Sequence, residues 1–169
     1  MVKASSKISE SIIENLTLTW QMYSEAINNI PVVEWNTGEI DYLIPARQIL
    51  HGIETLDYYS TTAPDAFKHG HRFNLDWQRA PPELLPSKAQ LRAYLDEVKE
   101  KTENWIKGLD DEAFHGPELL FPWTGSTLLG RVLYSIEHSR HHLGELNGEL
   151  RRRGLPRIKW SYFKQEKKE

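Results

Sequence analysis

The sequence predicts an all-α protein, a four-helix bundle with a long crossover between its second and third helices. Three observations predict it. Apolar residues recur at three- and four-residue steps in four long stretches, the period of a helix with one buried face. Strand signals are weak throughout. A segment studded with Pro64, Gly70, Pro81, Pro82 and Pro86 separates the second stretch from the third, too long for a simple hairpin between neighbours. At 169 residues the chain suits one domain, large enough to bury a core without staples. Residues 1–169 are read as that single domain, with about 160–169 a flexible charged tail.

The first helix is expected from about Ile8 to Asn29, where Ile12, Ile13, Leu16, Trp20, Tyr23 and Ile27 form the buried stripe. Asn28 and Asn29, followed by Pro31, stop it. The second is expected from about Tyr42 to Ser60, capped by Asp41, with Pro45 tolerated in the first turn. Ile49, Ile53 and Leu56 make one stripe. Ile44, His51 and Tyr58 fall nearly opposite at heptad spacing, the pattern of a helix packed on two sides. Thr61 to Pro86 is the crossover.

The third helix is expected from about Lys88 to Lys107. Ser87 and Gln90 form a capping box, Leu91, Tyr94, Leu95, Val98 and Trp105 make its inner face, and Gly108 ends it. Asp110 to Phe114 reads as one further short turn. The fourth long helix is expected from about Thr127 to Arg153, with Ser126 as its cap and Gly154 and Pro156 as its stop. Leu129, Val132, Ile136, Leu143, Leu146 and Leu150 form its apolar stripe.

Composition narrows the function. There is no cysteine, so disulfides, zinc–thiolate sites and a cysteine nucleophile are excluded, and thiol chemistry would need a thiol from a small molecule. The formal net charge is −3, and the basic residues form no stripe, so nucleic-acid binding is not expected. Arg151-Arg152-Arg153 sits in the last turn of the fourth long helix, where cations suit the dipole. No apolar run reaches the roughly 20 residues of a membrane span, and Met1 to Glu10 lacks a signal-peptide apolar region. A soluble cytoplasmic protein without membrane contact is expected. A homodimer is an expectation taken from four-helix bundles as a class, in which a chain with six tryptophans often has apolar surface left to cover.

The chemistry lies in the histidines. In Ser135-Ile136-Glu137-His138-Ser139-Arg140-His141-His142, His138 and His142 stand one turn apart on one helix face. At about 100° per residue, His142 flanks the apolar stripe and His138 lies about 40° further round, whereas His141 points toward solvent. Ser135 and Glu149 share the flank. Two imidazoles at this spacing can converge on one metal ion, and His51 on the second helix could supply a third, leaving a coordination position open. Whether His51 faces the fourth helix is not fixed by periodicity; a partly buried polar residue is the alternative. His69 and His71 in the crossover read as a solvated loop, with substrate-side residues or a second metal site as alternatives. His115 reads as a turn residue.

Other site types fall away. A di-iron bundle needs Glu-x-x-His motifs, but Gln48, Ser135 and Ser139 stand three residues before the histidines. His-Glu-x-x-His is absent too. Glu145, one turn beyond His142, and Glu54, beyond His51, could accept from an imidazole or carry a proton, or simply be solvated. Tyr58, Trp77 and Trp123 are candidate walls of an apolar mouth, or ordinary aromatic core.

The motif His138-Ser139-Arg140-His141-His142-Leu143-Gly144-Glu145, preceded by Phe121-Pro122-Trp123, together with Ala46-Arg47-Gln48-Ile49-Leu50-His51 and the turn Leu109 to Phe114, resembles the DinB/YfiT-like superfamily of metal-dependent four-helix bundles. The resemblance implies a metal held by His51, His138 and His142, with water in the open positions. It also implies transfer or isomerisation involving a low-molecular-weight thiol, as in bacillithiol- and mycothiol-dependent S-transferases and a maleylpyruvate isomerase. The family often has Arg, Gly, Gln after the last histidine; here Leu143, Gly144 and Glu145 stand there. Gly144 would keep the close-packing role, while the loss of the arginine and the gain of a carboxylate alter the motif's usual contacts.

The expected function is therefore a metal-dependent enzyme in which the ion makes a nucleophile at neutral pH. A small thiol and a small-molecule electrophile are the partners, and Glu145 and Tyr58 the candidate catalytic residues. Zinc or nickel suits imidazole, with iron and manganese the alternatives. A metal- or ligand-binding stress-related bundle without turnover is the competing expectation, and a purely structural bundle the third.

Overall fold

The computed structural model describes residues 6–162. Among them the chain forms five α-helices and no strand; the β-type pairing is one isolated antiparallel bridge, Pro117 to Thr127. The helices are α1 (Lys7–Asn29), α2 (Pro45–Tyr59), α3 (Lys88–Lys107), α4 (Asp111–His115) and α5 (Leu128–Arg152). Of the expected tail, residues 163–169 lie outside the described residues.

Helix ends follow local chemistry. Ser6 caps α1 by accepting from the Ser9 N–H at 3.0 Å. The capping box of α3 is present, Ser87 and Gln90 exchanging both bonds. α2 begins at Pro45, later than the periodicity suggests. A residue before proline is pushed out of helical geometry, and Ile44 is extended, so Asp41–Leu43 forms a separate 3-10 turn. Asp41 accordingly does not cap α2; its carboxylate accepts from Arg47 at 3.0 Å. At α5 the cap is Thr127, which accepts from the Gly130 N–H at 3.3 Å, while the Ser126 carbonyl accepts from the Glu118 N–H.

α2 packs most extensively on α5 and also on α3; α1 packs on α3 and α5. Every residue of α2 is buried except His51 and Tyr58, which are half-buried. A helix apolar on two sides is indeed enclosed, and its remaining exposure falls on one heptad step. The expected stripes of α1 and α5 are buried apart from Ile13 and Leu129, which are half-buried. Trp105 is only half-buried, covered by the Arg131 guanidinium at 4.8 Å, and Ile106 takes the core position instead. Gly144 has no close-packing role, because a Cβ there would meet nothing within 4 Å. The close approach occurs at Gly52. A Cβ at that position would overlap the Tyr23 hydroxyl, which itself donates to the Ser139 carbonyl at 3.0 Å. Ser139 Oγ donates in turn to the Gly52 carbonyl at 3.1 Å, so α1, α2 and α5 are tied at one level.

The connection between α2 and α3 is a folded layer rather than a loose loop. Trp77, Ala80 and Leu85 enter the core. Arg47, 1% exposed, donates to the carbonyls of Trp77 and Ala80 and so fastens the connection to α2. Arg72 makes a two-pronged pair with Glu97 of α3 at 2.9 and 2.6 Å.

Candidate metal centre

The enclosure of α2 against α5 brings His51 to His138 and His142. One ligand nitrogen from each lies within 4.8 Å of the other two. Ring centroids are 4.3 Å apart for His51–His142, 4.8 Å for His138–His142 and 5.6 Å for His51–His138. Trp77 stacks on the His51 ring at 3.8 Å with planes 21° apart. Arg47 holds the Trp77 backbone, so a buried cation on α2 also steadies the wall against His51.

Glu145 and Tyr42 orient His142. Its Nδ1 lies 2.8 Å from Glu145 Oε2 and 3.4 Å from the Tyr42 hydroxyl. A carboxylate there places the proton on Nδ1 and leaves the lone pair on Nε2. That Nε2 is buried and has no hydrogen-bond partner. A buried acceptor without a partner is costly, and one set among two further imidazoles fits a cation of intermediate softness.

The electrostatics favour the ligating form. Burial, reinforced by the neighbouring imidazoles, pushes His51 down to about 3 and His138 down to about 4. Burial lowers His142 as well, while Glu145 pulls the other way. All three rings are neutral at neutral pH, as metal binding requires.

His51 opens onto a cavity of about 700 Å³, lined also by Trp77, Lys68, His69, His71 and Gln78. The two connection histidines face acids on α2. His69 Nδ1 lies 3.5 Å from Glu54 Oε2, and His71 Nε2 lies 3.7 Å from Asp57 Oδ2. Asp57 also accepts from the Tyr94 hydroxyl at 2.7 Å and from Lys101. Glu54 accepts from the Gly70 N–H. Burial raises its pKa, and Gly70 and His69 draw it back.

A family model described as the DinB superfamily matches residues 15–146, a span that contains all three histidines. The chain belongs to the DinB superfamily. No curated protein matches it. A solved structure described as a conserved protein of locus from Enterococcus faecalis is similar, with a TM-score of 0.66 and 17% identity over 87% of this chain and 97% of that one. At that identity the likeness concerns the fold alone. The histidine cluster of this DinB-superfamily protein is compatible with a divalent metal ion.

The other residues singled out in the sequence are distributed as follows. Tyr58 turns toward the connection, its ring packing on Phe67, His69 and Phe121 at 5.1, 4.8 and 5.0 Å. Trp123 is exposed and donates its indole N–H to the Tyr59 hydroxyl at 3.2 Å. Ser135 donates to the Val132 carbonyl, and Glu149 accepts twice from Arg152, so neither serves the histidines. His141 is exposed beside Glu145 at 3.4 Å, and His115 ends α4 exposed. Sequence reasoning missed Tyr42, Tyr59 and Tyr134. The rings of Tyr59 and Tyr134 lie 6.2 and 5.7 Å from His138. Tyr134 carried a signal, since it stands four residues before His138 and so shares its helix face. Tyr42 carried none, because its place depends on where α2 begins.

Proposed function

We propose that this DinB-superfamily protein is a metal-dependent enzyme whose His51, His138 and His142 hold one divalent ion, and that it transfers or isomerises a small electrophile with a low-molecular-weight thiol. In the same reading the four long helices form a four-helix bundle, and the α2–α3 connection is a crossover that roofs the site. One observation carries it: a three-imidazole cluster that holds a buried, unpartnered His142 Nε2 and opens through His51 onto a cavity large enough for a small substrate.

When bound, the ion supplies Lewis acidity; zinc or nickel suits this donor set. Glu145 fixes the His142 tautomer, and Trp77 keeps water from one face of His51. Lys68 and Gln78 offer polar contacts to a substrate in the cavity. The cysteine-free chain leaves any thiol nucleophile to a small molecule.

Metal analysis of protein loaded with zinc and desalted tests this. About one equivalent per chain is expected in wild type, and much less in His51→Ala. Wild type retaining under about a tenth of an equivalent overturns the reading. Stoichiometric zinc without turnover of any thiol–electrophile pair would instead favour a binding protein.

A further inference from the structure

The His69-Gly70-His71 run is left over from the metal centre, yet it lines the same cavity as His51. Its two histidines are built differently. Asp57, which faces His71, already accepts from Tyr94 and Lys101; that contact is a fastening of the connection to α2 and α3. Glu54 divides its carboxylate instead. Oε1 accepts from the Gly70 N–H and so holds the turn. Oε2 is buried with no formed hydrogen bond and faces His69 Nδ1 at 3.5 Å. The Glu54 side chain is 2% exposed, whereas that of His69 is 59% exposed.

The turn itself is specified. Gly70 has φ +78°, and a Cβ there would overlap the Leu75 carbonyl, so only glycine fits. The His69 ring is braced by Tyr58 and Phe67 at centroid distances of 4.8 and 5.2 Å. A half-exposed imidazole on a fixed turn, with a buried carboxylate behind Nδ1 and a reaction-sized cavity in front, has the parts of a histidine–carboxylate acid–base pair. Contacts of this kind are often long before substrate arrives.

We infer that His69 is the catalytic proton acceptor of this cavity and that Glu54 is its positioning residue. This rests on the metal-dependent thiol reading above and adds the group that takes the proton. As the thiol sulfur bonds to the electrophilic carbon, the S–H proton passes to His69 Nε2, and the leaving group departs with its bonding pair. The imidazolium then returns the proton to solvent. Glu54 stabilises that imidazolium. The other titratable groups around His69 are His51 and Tyr58 from α2, and Lys68, His71 and Asp76 from the connection.

The test uses the zinc-loaded full chain with cysteamine and 1-chloro-2,4-dinitrobenzene, a pair that releases chloride as the C–S bond forms. His69→Ala is expected to keep wild-type zinc content and lose kcat by at least about tenfold, with added imidazole restoring part of the rate. Glu54→Gln is expected to move the acid limb of kcat/KM to lower pH. In the metal-free chain, 15N NMR is expected to find the His69 proton on Nδ1, and less so in Glu54→Gln. Any of four results overturns the inference: full rate in His69→Ala, no rescue by imidazole, an unmoved acid limb, or an Nε2–H tautomer in wild type. Zinc-replete wild type with no rate above background overturns it too. Wild type that binds no zinc brings down the metal reading, and this inference with it.

Discussion

Glu145→Gln keeps the side chain's shape and removes the charge behind His142 Nδ1. Partners of ligating histidines typically govern affinity by 10–100-fold, so zinc affinity measured by chelator competition is expected to fall by about tenfold or more. The histidines also set the response to acid. In the unfolded chain they take protons near pH 6.5, but in the fold burial holds His51 to about 3 and His138 to about 4. Between those limits the unfolded state binds more protons, so stability present above pH 6.5 is lost as the pH falls toward 4. Urea midpoints of the metal-free protein at pH 7 and pH 4.5 should show that loss, and His51→Gln should show a shallower one. At this scale much was legible in the sequence. Four-residue spacing was enough to pair His138 with His142 and to leave His141 outside. It could not bring in His51, whose neighbour across the interface belongs to a different helix, nor separate His69 from a solvated loop, because the deciding partner is Glu54, fifteen residues away.

At the scale of elements, the α2–α3 connection depends on a cation the sequence did not advertise. Arg47 stands in the motif that runs to His51 with nothing in its spacing to mark a role of its own, yet it is buried and bonds the Trp77 and Ala80 carbonyls. Arg47→Met would leave those carbonyls without their donor. A loss of about 2–4 kcal/mol in urea unfolding is expected, with faster hydrogen exchange across residues 75–80 and a weakened Trp77–His51 stack. Arg131 plays a comparable part at the other end of α2, donating to the Tyr59 carbonyl at 2.7 Å while its guanidinium covers Phe121 at 4.1 Å. Helix identity was legible because periodicity is a local property. The caps at Ser6 and Ser87 obey short-range rules, and so does the late start at Pro45 once Ile44 is read as a residue before proline. Buried arginines are not legible that way, since only the folded connection supplies the carbonyls that justify them.

For the whole molecule, an ion that binds the fold and not the unfolded chain must raise its stability. At zinc concentrations about 100 times Kd the gain is about 2.7 kcal/mol, which for a domain of this length is a thermal midpoint about 5–10 °C higher. Calorimetry with zinc and then with excess chelator checks this; a midpoint indifferent to both would mean that the cluster holds no ion. The all-helical class followed from repeating stripes alone, whereas the pairing of α2 with α5 rests on contacts far apart in the chain. One such contact has a reach beyond stability. Gly52 and Ser139 each adjoin a histidine of the cluster, and their bond, backed by Tyr23, sets how far apart the two helices stand. In the proposed metal centre, discrimination between ions of unlike radius would thereby be delegated to positions that never touch one. A lineage could retune such a preference by altering a hydroxyl at 23 or at 139 while leaving every donor nitrogen in place.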